Sequence, residues 1–184
     1  KPSQEGIYRH FMAVADASPV PVIIYNVPGR TGLNMTAATT LRLAHATPKI
    51  VAIKEACGNI EQMQAILDGR PEDFLVLSGD DGITVELVKR GGDGVISVAA
   101  NAFPERFCGC VHNAMKGNIA LAESEIAELT PAIDLLFKEG NPTGVKAMTA
   151  AMGITRSEVR LPLVEGTENL AADIKSAIAR YELK

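Results

Sequence analysis

Four short apolar runs constrain the fold more than any other feature of the chain: residues 20–26, Ile50–Glu55, 74–78 and 94–98. Each is rich in β-branched residues and nearly continuous. A strand with one wet face alternates apolar and polar residues, so unbroken runs of this length point to strands buried on both faces, as in a parallel sheet covered by helices. Between the runs, amphipathic stretches predict helices over residues 36–46, 59–68 and 81–90, opened by Asn34 or Thr36, by Asn59 and by Asp80. Strand, helix, strand, helix implies βαβ units. After the fourth run the pattern turns wholly helical, over about 104–116, 119–138 and 143–152, with a last helix from Glu168.

Four parallel βα units admit an open doubly wound sheet or part of a (β/α)8 barrel, and the pattern alone does not choose. An open nucleotide-binding sheet would carry a glycine-rich phosphate turn after a strand. No such turn is present: Gly91-Gly92-Asp93-Gly94 precedes a strand and reads as a helix-ending turn.

Composition narrows the function classes. The 184 residues are 47% hydrophobic and 22% charged, enough for one good core. With a net charge of −4, 4% aromatics and scattered Lys and Arg, the chain lacks the basic face that nucleic acid requires. No apolar run approaches the ~18 residues of a membrane span, and no basic-then-apolar leader opens the chain, so a cytoplasmic location is expected. The chain opens on Lys1-Pro2-Ser3-Gln4-Glu5-Gly6, a loop running into a helix cap, and residues upstream are expected. Cys57, Cys108 and Cys110 are an odd set, which argues against a disulfide framework. His10, His45 and His112 fall on separate predicted helices without ligand spacing; neither a metal nor a cofactor is expected.

Three residues can carry chemistry. Lys54 sits near the carboxyl end of an apolar strand, where it either snorkels to water or, desolvated, loses its proton and becomes a nucleophile toward ketones. Tyr25 ends the preceding strand at the same edge, the edge on which α/β proteins build sites. It is either a core tyrosine or a proton relay beside an imine. The rigid segment Asn26-Val27-Pro28-Gly29-Arg30-Thr31-Gly32 then presents a guanidinium, either simply solvated or able to grip a carboxylate with two hydrogen bonds. The acidic pair Asp80-Asp81 opens a predicted helix, where capping accounts for it.

Taken together, Tyr25-Asn26-Val27-Pro28-Gly29-Arg30-Thr31-Gly32, Ile53-Lys54-Glu55-Ala56, Ser78-Gly79-Asp80-Asp81 and Gly94-Val95-Ile96-Ser97-Val98 resemble the dihydrodipicolinate synthases in motif, order and spacing. Asn141-Pro142-Thr143-Gly144-Val145-Lys146 and Glu158-Val159-Arg160-Leu161-Pro162-Leu163 are similar to that family's helical C-terminal region, so the resemblance covers essentially the whole chain. It implies an α/β fold, a (β/α)8 TIM barrel of which this chain holds the last four βα units: residues 1–116 as the C-terminal half of the barrel, and 117–184 as a helical region. The implied reaction condenses pyruvate with aspartate 4-semialdehyde through a lysine Schiff base, giving 4-hydroxy-tetrahydrodipicolinate for diaminopimelate and lysine synthesis.

By the same resemblance Lys54 matches the Schiff-base lysine and Tyr25 the proton-relay tyrosine. Arg30 matches the arginine that grips the semialdehyde carboxylate, Ile96 a position whose backbone carbonyl lies near pyruvate, and Gly79 a glycine that keeps the site floor open. A homotetramer is implied, with no membrane or nucleic-acid partner. The family's first four βα units, with a threonine pair that holds the pyruvate carboxylate and a second relay tyrosine, are expected to lie outside these residues. Two alternatives stay open: another pyruvate Schiff-base aldolase such as N-acetylneuraminate lyase, against which Arg30-Thr31-Gly32 argues, and an inactive half-barrel.

Overall fold

The computed structural model describes residues 1–181. The chain forms two compact units, Lys1–Ile96 and Ser97–Lys184. In the first, α1 (Gln4–Ala17) precedes β1 (Val22–Asn26), α2 (Pro28–Thr31) and α3 (Ala37–Ala46). There follow β2 (Ile50–Glu55), α4 (Ile60–Gly69), β3 (Leu75–Ser78), α5 (Thr84–Lys89) and β4 (Gly94–Val95). All strand pairings are parallel and the order is β1-β2-β3-β4, so the sheet never reverses direction.

Side chains alternate between the two faces of a strand. On one face Ile24, Ile53 and Val76 are at most 1% exposed and pack with Leu43, Met63, Ile66 and Phe74 of the core. Burying each such aliphatic side chain contributes about 1.5–3 kcal/mol. On the other face Ile23, Tyr25 and Leu75 keep 48%, 43% and 43% of their surface exposed, and Lys54 is partly exposed beside covered Ala52. The burial on both faces that unbroken apolar runs predict is thus met on one face only. Helices cover that face because their own apolar stripes come from the same stretch of chain.

Local chemistry explains the element boundaries. The side chains of Ser3, Thr36 and Asn59 cap α1, α3 and α4 by accepting from the backbone N–H groups of Gly6, Thr39 and Gln62. Asp80 does not cap the helix expected over 81–90. Its carboxylate accepts from the Gly82 N–H at 2.9 Å, its carbonyl accepts from the Ser78 and Thr84 hydroxyls, and α5 starts only at Thr84. The segment after Tyr25 is helical rather than an open loop: Pro28 supplies a preset φ at the first turn, and Gly32 ends α2 at φ 72°, a left-handed conformation that glycine adopts without strain. β4 stops at Val95, short of the expected residue 98, because the Ser97 hydroxyl accepts from the Ala100 N–H as the chain turns into a 3-10 helix, Ala99–Asn101. Where β3 begins, Arg70 pairs with Asp93 and donates to the carbonyls of Phe74 and Gly91, while Asp93 accepts from the Val76 N–H at 2.7 Å.

The second unit is helical: α6 (Pro104–Met115), α7 (Ile119–Leu135), α8 (Thr143–Ala151) and α9 (Glu168–Tyr181). Phe107, Leu129, Leu136, Met148, Leu170 and Ile174 are among its fully buried side chains. Asn113 donates to Glu125 between α6 and α7, and Lys138 pairs with Asp173 at 2.6 Å. Among the described residues no helix is long and apolar enough to cross a membrane.

Candidate active site

The candidate residues converge within the first unit, at the carboxyl ends of the strands. Parallel register pairs Tyr25 of β1 directly with Lys54 of β2, so both side chains rise from the same, uncovered face. The Lys54 Nζ lies 4.3 Å from the centre of the Tyr25 ring. Desolvation holds the Lys54 pKa below the ordinary lysine value, the Asp81 carboxylate opposes that shift, and the Arg30 guanidinium reinforces it. A larger share of neutral amine at a given pH follows, and the neutral amine is the form that attacks a carbonyl.

Arg30 stands exposed on α2, five residues after Tyr25, with its charge within electrostatic reach of Lys54. Gly79 follows the last residue of β3, and its N–H donates to the Glu55 carbonyl at 2.7 Å. A Cβ at position 79 would lie 2.7 Å from Ala56 Cβ and 3.1 Å from Lys54 Cε, so the absence of a side chain there leaves room for the amine-bearing end of the lysine. Ile96 continues the ladder past β4, donating its N–H to the Ser78 carbonyl at 3.0 Å, with its side chain 42% exposed. All five candidates are therefore on one side of one small sheet or in the turns that extend it.

Two features escape a reading of motifs. Asp81, which capping would explain, is only 3% exposed and acts electrostatically on Lys54. Glu55, next to Lys54 in the chain, is 0% exposed and points the other way, toward the helices. The strand period carried that second signal: if Lys54 faces the open side, Glu55 must face the covered one, and a carboxylate there needs donors. Among the described residues no group of three or more His, Cys, Asp or Glu side chains is arranged to hold a metal ion.

Comparison with known proteins identifies the family. The model of the dihydrodipicolinate synthetase family matches residues 1–181. The 4-hydroxy-tetrahydrodipicolinate synthase of Phocaeicola vulgatus is 54% identical over 164 residues, 89% of this chain and 55% of that protein. The enzyme of the same name from Azobacteroides pseudotrichonymphae is 47% identical over 98% of this chain and 61% of its own length. The crystal structure of dihydrodipicolinate synthase from Thermotoga maritima superposes with a TM-score of 0.97 at 35% identity, covering 100% of this chain and 63% of that one. The chain thus spans 55% and 61% of the length of these two curated relatives. A family match running from Lys1 to Tyr181, with relatives above 45% identity on both sides of the strand-end lysine, establishes that this chain belongs to the dihydrodipicolinate synthetase family.

Proposed function

We propose that the protein condenses pyruvate with aspartate 4-semialdehyde through a Schiff base on Lys54, giving 4-hydroxy-tetrahydrodipicolinate. The observation that carries this reading is the Lys54–Tyr25 pair, an amine with a depressed pKa 4.3 Å from the ring of a half-exposed phenol at a sheet's carboxyl edge. Neutral Lys54 attacks C2 of pyruvate, and the carbinolamine loses water to give the imine. Loss of a C3 proton gives an enamine, whose carbon attacks the aldehyde. The amino group of the joined substrate then adds to C2 and displaces Lys54, closing the ring and returning the amine. Proton transfers accompany carbinolamine formation, dehydration and enamine formation, and Tyr25 is the group placed to relay them. Arg30, exposed at the same edge, takes the carboxylate of the semialdehyde. Gly79 leaves space beside the amine-bearing end of Lys54, and the Ile96 backbone carbonyl borders the pyruvate position.

The same reading makes the four-stranded sheet one half of a (β/α)8 barrel, with residues 1–116 supplying the barrel half and 117–184 a helical region. One-sided cover supports it, since the faces of barrel strands that point away from the helices line the interior. We take the assembly to be a homotetramer, to be checked by light scattering. N-acetylneuraminate lyase chemistry is the second reading; Arg30 favours the short amino-aldehyde acid over a polyhydroxylated sugar.

Incubation with pyruvate and borohydride, followed by peptide mass spectrometry, tests the proposal. One reduced pyruvate adduct is expected, on Lys54, and none in Lys54→Ala. An adduct on Lys49, Lys89 or Lys146 instead would overturn it. Pairing pyruvate with each aldehyde then separates the two readings.

A further inference from the structure

Behind the reacting pair, on the covered face, lies a set of polar side chains that the chemistry above does not use. Asn26 and Glu55 are register partners one residue beyond Tyr25 and Lys54, so they meet on the opposite side of the same two strands. Asn26 Nδ2 donates to both Glu55 oxygens, at 2.8 and 3.0 Å. Glu55 also accepts from the Cys57 N–H at 2.9 Å and from Gln62 Nε2 at 3.1 Å. Asn34 joins through the Asn26 amide at 2.8 Å and by donating to Gln62 Oε1 at 2.8 Å, and its own carbonyl accepts from Gln4 at 2.9 Å. Backbone bonds from Met35 N–H to Asn26 Oδ1 and from Gln62 to the Met35 carbonyl complete the set.

Stability alone does not call for this arrangement. The earlier positions on that face are Ile24, Ile53 and Val76, fully buried and apolar, whereas a buried carboxylate loses its hydration and is compensated only by well-placed donors. A network of this kind instead excludes alternatives: it is satisfied in one register and broken in the others. β1 ends at Asn26 and β2 at Glu55; past these ends the ladder runs on through the Ala56 N–H to the Asn26 carbonyl at 2.9 Å and the Gly79 N–H to the Glu55 carbonyl at 2.7 Å, and the side-chain network meets the strands at that last step. A one-residue slip there would turn Lys54 into the core.

We infer that Glu55, with Asn26, Gln62 and Asn34, is a positioning network that holds Lys54 and Tyr25 in reacting register from the far side of the sheet. This role rests on the proposed Schiff-base function.

The test uses the protein with its natural termini and follows the rate of borohydride-trapped pyruvate adduct formation across pH. Glu55→Gln keeps the shape but sets an NH2 against the donors of Asn26, Gln62 or Cys57. Its adduct rate should fall roughly 10- to 100-fold, with half-saturation by pyruvate within about 3-fold of the wild type, because reacting groups are misplaced rather than lost. Gln62→Met removes the links to Glu55, Asn34 and the Met35 carbonyl and replaces none of the charged side chains around Lys54. Its pH–rate midpoint should rise toward the ordinary lysine range as the strand end loosens and Nζ hydrates. A purely structural role would lower the unfolding midpoint of both variants yet leave the rate per folded site and the pH midpoint unchanged, and that result would overturn the inference. Should Glu55→Gln fail to fold, Gln62→Met decides alone. A wild-type protein that traps no pyruvate on Lys54 overturns the proposed function and this role together; a wild-type adduct with unaffected variants overturns this role alone.

Discussion

The Lys54 Nζ stands 4.3 Å from the centre of the Tyr25 ring, and the two residues are direct partners on neighbouring parallel strands. The ring face attracts the ammonium form, while desolvation favours the neutral amine. In the proposed reaction the ring and hydroxyl of Tyr25 have separable tasks, one acting on the charge of the lysine and the other relaying protons.

Tyr25→Phe separates them. It keeps the ring and loses the hydroxyl, so adduct formation should slow by about 10²- to 10⁴-fold, as for loss of a general acid–base group, with no shift in the pH–rate midpoint. Stopped-flow trapping across pH measures both quantities. A displaced midpoint with an unchanged maximal rate would contradict the relay.

Charge replacement around Lys54 should move that midpoint in opposite directions. Asp81 raises the lysine pKa, so Asp81→Asn should shift adduct formation to lower pH; Arg30 lowers it, so Arg30→Ala should shift it to higher pH. In the wild type the rate should rise through a midpoint below the ordinary lysine value, because only the neutral amine attacks. Equal shifts of one sign in both variants would show that the two charges do not act on Lys54.

Arg30→Ala should also split the two substrates. Pyruvate adduct formation should survive, while use of the semialdehyde should weaken by roughly 10- to 150-fold, corresponding to about 1.5–3 kcal/mol for a lost charge-assisted contact. Steady-state kinetics with each substrate varied in turn checks this, and an unchanged half-saturation for the semialdehyde would count against the clamp.

At Gly79 the demand is steric. The Cβ of Gly79→Ala would meet Ala56 Cβ at 2.7 Å and Lys54 Cε at 3.1 Å, so overpacking of about 1–3 kcal/mol and slower adduct formation should follow. Ala56→Gly in the same chain removes the tightest contact and should restore part of the loss, read by denaturant unfolding and by trapping.

Thiol reactivity offers a check that is independent of the reaction. Burial pushes the Cys57 and Cys110 thiols up to about 11, whereas Cys108 is exposed. At neutral pH an alkylating reagent should therefore label Cys108 first and leave the other two slow until the protein unfolds. Peptide mapping after short labelling measures the order.

Much of this was legible in the residues. The run Ile50–Glu55 forms β2 with the bounds its apolar pattern gives, and Thr36 and Asn59 cap the helices they precede, because strand burial and capping are local properties. Asp80 departs from its expected capping role for a physical reason: an Asx-type turn to Gly82 competes with helix capping for the same carboxylate, and only the backbone decides between them. The Lys54–Tyr25 pairing could be anticipated from two polar residues ending adjacent strands, whereas the partners of Glu55 could not. Gln62 lies 7 positions from it and Asn34, which reaches it only through Asn26 and Gln62, lies 21, and no spacing rule links them.

The alternation that sets Lys54 on one face and Glu55 on the other has a consequence for how such a chain tolerates length changes. Deleting or inserting one residue within β2 would exchange the two side chains, putting an ammonium against the N–H donors of Asn26, Gln62 and Cys57 and a carboxylate where an amine is needed. One event would remove the nucleophile and bury an uncompensated charge. In the exposed Gly58–Asn59 turn, a few residues downstream, the same event leaves the alternation of the strand intact. Lineages of this protein should accordingly differ in length at the turns after the strands and hold constant spacing from Ile50 to Ala56, a pattern that random insertion libraries selected for growth without lysine would expose.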